Sequence, residues 1–225
     1  MKNKIIFFST LLLLLFSKEA FAADYKVWFN FESNSYIPPS FSGKNIPAKL
    51  AEANVFLEVL KDGRPLDLSK NKISWYLNNS LKSSAVGQNI FNFKDESSIS
   101  IKNSVRAIIS GVKEDGGSLT GEIDIPISAP LLILTPPAFL EAGKENSITA
   151  TPFFFNVSSL NNLIFSWRVN SEEVLENSNG RPDALSLFIE ESSINNQPVL
   201  VSVSAVNKTN ILEKASVFIK IFKKQ

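Results

Sequence analysis

The chain has 225 residues, 44% of them apolar, with 18 Phe, no Cys and no His. The missing Cys excludes disulfides, thiol chemistry and cysteine zinc sites, and the missing His removes the commonest general base and metal ligand. The formal charge is +1; Lys2, Lys4, Lys18 and Glu19 contribute +2, so the rest is near −1 and offers no electrostatic attraction for nucleic acid or an anionic membrane.

The first residues read as an export signal. Lys2 and Lys4 form a positive region, Ile5 to Phe16 an apolar stretch, and Ala20-Phe21-Ala22 places small residues where a signal peptidase reads. The apolar run is shorter than the roughly twenty residues a spanning helix needs. Cleavage after Ala22 is therefore expected, with residues 1–22 as signal and no membrane span in the mature chain.

The mature chain reads as short strands broken by turns. Tyr25 to Phe31 alternates, and Tyr36-Ile37-Pro38-Pro39 ends that run. Ser40 to Ala48 reads as loop. Ala53 to Leu60 reads as a strand, and Lys61-Asp62-Gly63-Arg64-Pro65 as a turn. Lys72 to Leu77 carries a Trp and stops at Asn78-Asn79-Ser80. Ile90 to Phe93, Ser98 to Ile101 and Val105 to Ile109 follow. Lys113 to Gly117 is a hairpin tip, and Ser118 to Ile127 returns. Strands about ten residues apart mark an all-β sandwich or barrel.

The pattern then repeats. Ile73-Ser74-Trp75-Tyr76-Leu77-Asn78 returns as Phe165-Ser166-Trp167-Arg168-Val169-Asn170. Pro38-Pro39 returns as Pro136-Pro137, and Phe41 with Gly43-Lys44 as Phe139 with Gly143-Lys144. Thr149 to Val157, Val199 to Ala205 and Lys214 to Phe222 match the earlier strands. The Pro-Pro landmarks are 98 residues apart and the Trp landmarks 92, so the second copy is six shorter between them. The loop replacing Lys61 to Lys70 is the expected place. Gly180-Arg181-Pro182-Asp183 has no evident counterpart and reads as a loop. A fixed-period match implies two units, 23–127 and 128–225.

In each Trp strand, the Trp and the apolar residue two positions on share one face. Trp75 with Leu77, and Trp167 with Val169, are the expected core pairs. These Trp strands, followed about thirty residues later by Val105 to Ile109 and Val199 to Val203, resemble bacterial surface Ig-like repeats of the PKD-like kind. The Asp-Phe-Gly-Asp-Gly signature of those repeats is absent from both copies. The resemblance implies tandem immunoglobulin-like β-sandwich domains serving as spacers or interaction modules.

Candidates for chemistry are few. No Ser has a Lys at a convincing nucleophile spacing, and Glu114/Asp115, Glu172/Glu173 and Glu190/Glu191 read as solvated turns. The expected protein is not an enzyme and holds no cofactor or metal. In Phe153-Phe154-Phe155, alternation turns Phe153 and Phe155 one way and Phe154 the other. Phe154 then faces a neighbouring domain or a partner, while Tyr25, Trp28 and Tyr36 are aromatics able to stack on a sugar. The expected function is an exported structural or adhesive module of the bacterial envelope, in the periplasm, at the cell surface or outside the cell. It would bind another envelope protein or a surface polymer through loops or edge strands. A pilus-type assembly chaperone and a glycan-binding accessory protein are the alternatives.

Overall fold

The computed structural model describes residues 23–94, 101–174, 180–190 and 197–224. The cleavage residues Ala20 and Ala22, the alternating residues 98–100 and Glu191 lie outside them. Among the described residues no helix is long and apolar enough to cross a membrane.

The two Trp strands, β4 (Lys72–Leu77) and β11 (Leu163–Val169), are the centres of two all-β sandwiches. Each alternates with period two, so one face enters the core and the other meets solvent. Trp75, Leu77 and Trp167 are buried, and Val169 is half-buried. A buried indole needs an acceptor. Trp75 Nε1 donates to the Gln88 carbonyl at 2.8 Å, and Trp167 Nε1 to that of Pro182 at 3.1 Å. Gly180 to Asp183 is therefore not a loop without a counterpart: it occupies the place of Gln88.

The Asn that ends each motif also does the same work twice. Asn78 and Asn79 have φ of 49° and 67°, and Asn170 and Ser171 have φ of 50° and 75°. Two successive left-handed residues form the turn whose twist suits a two-residue hairpin, and Asn tolerates that region. Ser104 N–H donates to Asn78 Oδ1 at 3.0 Å, and Leu200 N–H to Asn170 Oδ1 at 3.0 Å. Each Asn side chain thus ties its hairpin to the next strand of its sheet.

In the first unit β2 (Glu52–Lys61) pairs with β1 (Tyr25–Ser33), β6 (Ile90–Lys94) and the short β3 (Arg64–Pro65). The facing sheet runs β5-β4-β7-β8, with β5 Ser80–Val86, β7 Lys102–Ile109 and β8 Leu119–Pro126. The second unit repeats this. Its β10 (Glu145–Phe153) lies between β9 (Leu131–Thr135) and β13 (Ala184–Phe188). The facing sheet runs β12-β11-β14-β15, with β12 Glu172–Val174, β14 Val199–Asn207 and β15 Asn210–Ile221. These pairings are antiparallel. Two tandem immunoglobulin-like sandwiches result, each with its own core, one around Trp75 and one around Trp167. The edge strand after each hairpin joins the Trp strand, whereas in constant-type domains a fourth strand lies on the opposite sheet.

The six missing residues are not in the loop after β2. Ala48 pairs in parallel with Ser128 after β8, and Leu140 pairs in parallel with Lys223 after β15. From these equivalent bridges to the Trp is 27 residues in both units. From the Pro-Pro pair to the bridge is ten residues in the first unit and four in the second. The whole difference falls between Pro-Pro and the bridge. Phe41 and Phe139 are accordingly not equivalent: Phe41 belongs to the extra length.

Candidate interaction surfaces

Residues 36–50, which contain that extra length, form a strap that reaches the second unit. Tyr36 N–H donates to the Phe155 carbonyl at 2.6 Å, and Phe154 N–H to that of Tyr36 at 2.7 Å. Asn156 Nδ2 donates to the Leu50 carbonyl at 3.1 Å, while Ser128 N–H, donating to the Pro47 carbonyl at 2.9 Å, belongs to the bridge that closes the first unit. Tyr36 packs against the core of the second unit. Burial there, with the Asp183 carboxylate as a lesser cause, raises its phenol above the ordinary 10.0. Phe41 meets Phe153 and Phe154 edge-on, with ring centres 5.5 and 6.2 Å apart. At the base of the strap, Asn45 Nδ2 donates to the Ser33 and Ser35 carbonyls at 3.0 and 2.8 Å.

The receiving side is equally built. The buried Glu213 accepts Asn156 N–H on one oxygen and Asn207 Nδ2–H on the other, each at 2.5 Å. Asn156 is therefore held while its own side chain reaches Leu50. Phe154 has φ of 57°, a conformation costly for a bulky L-residue. The kink also reverses the alternation expected through the three Phe residues. β10 ends at Phe153, which stays partly exposed, and Phe155 turns fully into the core.

The four aromatics proposed from the sequence do not form one patch. Phe154 and Tyr36 lie together at the junction between units. Tyr25 and Trp28 lie on opposite faces of β1, because they are three positions apart. Tyr25 is half-buried, and its hydroxyl donates to the Val112 carbonyl at 3.4 Å. Trp28 is 57% exposed beside Asn30, Phe56, Glu58 and Leu60, on the outer face of the sheet.

A groove that the sequence did not suggest opens at the other edge of the first unit. It measures about 810 Å³ and runs between β5 and β6, the edge strands of opposite sheets. Leu77, Phe91 and Phe93 form its apolar floor, with Ile90 and Asn92 on the β6 side. Lys82 and Lys94 are exposed along it, and the described lining contains no Asp or Glu. Asn103 is fully buried there. Its orientation follows from the chain of bonds already begun. Ser104 N–H donates to Asn78 Oδ1, and Asn78 Nδ2 donates to Asn103 Oδ1 at 2.8 Å. Among the described residues Asn103 Nδ2 is thereby left as a donor without an acceptor. A buried donor in that state costs about 1–3 kcal/mol. The sequence signal was slight: β5, read Ser-Leu-Lys-Ser-Ser-Ala-Val, is nearly all exposed and shows no alternation.

No protein-family model matches the chain, and no curated protein matches it in sequence. Among solved structures it is similar to the three N-terminal domains of the Highly Immunogenic Outer Capsid protein (Hoc) of bacteriophage RB49. The identity is 13%, over 89% of this chain and 59% of that one, with a TM-score of 0.49. It is also similar to the fibronectin(III)-like modules of Clostridium thermocellum CbhA, at 15% identity over 89% and 95% of the two chains, TM-score 0.30. A third is Bacteroides ovatus SGBP-B in complex with a mixed-linkage heptasaccharide, at 8% identity over 88% and 47%, TM-score 0.26. The chain thus spans 59% of the phage domains and 47% of the glucan-locus protein. At these scores the likenesses carry no argument, and the fold assignment stands on the strand pairing above.

Proposed function

We propose that the protein is an exported, non-enzymatic binding module of the bacterial envelope, and that it holds a partner protein along the open edge of its first unit. The observation that carries this is the groove between β5 and β6. Among the described residues each strand is hydrogen-bonded on one side only within its sheet, so both present backbone donors and acceptors to an added strand. The strap supports the same reading, since a fixed second unit gives the edge a defined direction. The test is photo-crosslinking in the native envelope. A crosslinker in place of Leu81, 58% exposed on β5, should trap one discrete protein. The same group in place of Thr120 on β8, at the far edge, should not. Equal yields from both positions, or none from Leu81, would refute the edge as the contact.

Exposed Trp28 favours a second reading, contact with a surface polysaccharide. Retention on cell-wall polysaccharide that is lost in Trp28→Ala and kept in the Leu81 variant would replace the first reading with this one.

A further inference from the structure

We propose that the β5–β6 groove accepts an extended acidic polypeptide strand whose inward side chains are apolar except for one hydrogen-bond acceptor. The proposal rests on the edge-binding reading and specifies the ligand.

Three observations select the ligand. The walls are strand edges, which satisfy an extended backbone by main-chain hydrogen bonds. In an extended segment, alternate side chains point inward, toward Leu77, Phe91 and Phe93, and the others outward. The unmatched Asn103 Nδ2, fixed in orientation by Asn78, calls for one inward acceptor such as a hydroxyl or side-chain carbonyl. Lys82 and Lys94, with no carboxylate in the described lining and no ion pair to a described residue, call for outward acids.

A second copy of this chain is the poorer occupant. Pairing β5 with β5, or β5 with β6, sets lysine-bearing edges against each other, and like charges across strands destabilise the pair.

The test uses blocked eight-residue peptides and the isotope-labelled protein at low ionic strength. The first peptide reads Asp-Val-Asp-Thr-Asp-Val-Asp-Val. The second has Ser for each Asp, the third Lys for each Asp, and the fourth Val for the Thr. Amide shifts locate each contact and titration gives its affinity. The acidic peptide is expected to move β5 and β6 resonances and to bind about tenfold tighter than the Ser peptide, with the advantage shrinking as salt is added. The Lys peptide should not bind. Replacing Thr by Val should weaken binding about tenfold, the size of one buried hydrogen bond. A Lys82→Glu/Lys94→Glu variant, altered only at exposed positions, should lose the preference for acid. Ser and acidic peptides of equal affinity, both moving β5 and β6, would overturn the acidic specificity and leave edge binding intact. If no peptide moves β5 or β6, both the inference and the edge-binding reading fail.

Discussion

Phe154 permits a prediction with an unusual sign. Replacing it by Ala removes two ring contacts, with Phe41 at 6.2 Å and Phe153 at 6.0 Å, each worth roughly 0.5–1.5 kcal/mol. Ala keeps a Cβ at φ of 57°, so the left-handed cost of about 1–2 kcal/mol persists. Replacing it by Gly loses the same rings but also removes that cost. Against this stands the greater freedom of Gly in the unfolded chain, about 0.5–1 kcal/mol. Phe154→Gly should therefore be more stable than Phe154→Ala by about 1 kcal/mol, the reverse of the usual order, while both fall below the parent. For a unit of about a hundred residues this separates the two midpoints by roughly 4–8 °C. Calorimetry of the three proteins measures it. Both variants should also uncouple the units, splitting one unfolding transition toward two. An Ala variant as stable as the Gly variant would refute the left-handed kink.

Three further outcomes follow from the same geometry. Trp75 stacks on Phe91 at 5.4 Å and meets Phe29 edge-on at 6.2 Å, and no aromatic pair of this kind is formed by Trp167 among the described residues. Trp75→Ala should therefore cost its unit roughly 1–3 kcal/mol more than Trp167→Ala costs the other, measured by urea unfolding. Glu213→Gln turns one acceptor into a donor facing Asn156 N–H or Asn207 Nδ2, and should cost about 1–3 kcal/mol in the same assay. The raised Tyr36 phenol favours the protonated form in the fold, so its contribution is complete below the ordinary 10.0 and is lost as pH rises through its folded value. Ultraviolet titration against Tyr36→Phe should show that midpoint above 10.0 and lowered by Asp183→Asn; a midpoint at or below 10.0 would contradict the burial.

Short-range chemistry along the chain is enough for part of this fold. Alternation in Ile73 to Leu77 and Phe165 to Val169 puts both Trp residues in the core. Asn at the end of each motif suits a left-handed hairpin position, and the repeat follows because both motifs solve the same local problem. The strands β5, β9, β12 and β13 escaped notice for a physical reason. β5, β9 and β12 are largely exposed edges, and β13 has two adjacent buried residues. The six-residue length difference was legible in the sequence, but its place was not. A loop's position depends on which distant bridges are equivalent, and Ala48–Ser128 and Leu140–Lys223 exist only in the folded chain. The strap, the reversed Phe154 and the groove are likewise tertiary. Each depends on partners far along the chain: Tyr36 with Phe155, Glu213 with Asn156, and Asn103 with Asn78 beside an edge that no other described strand takes up.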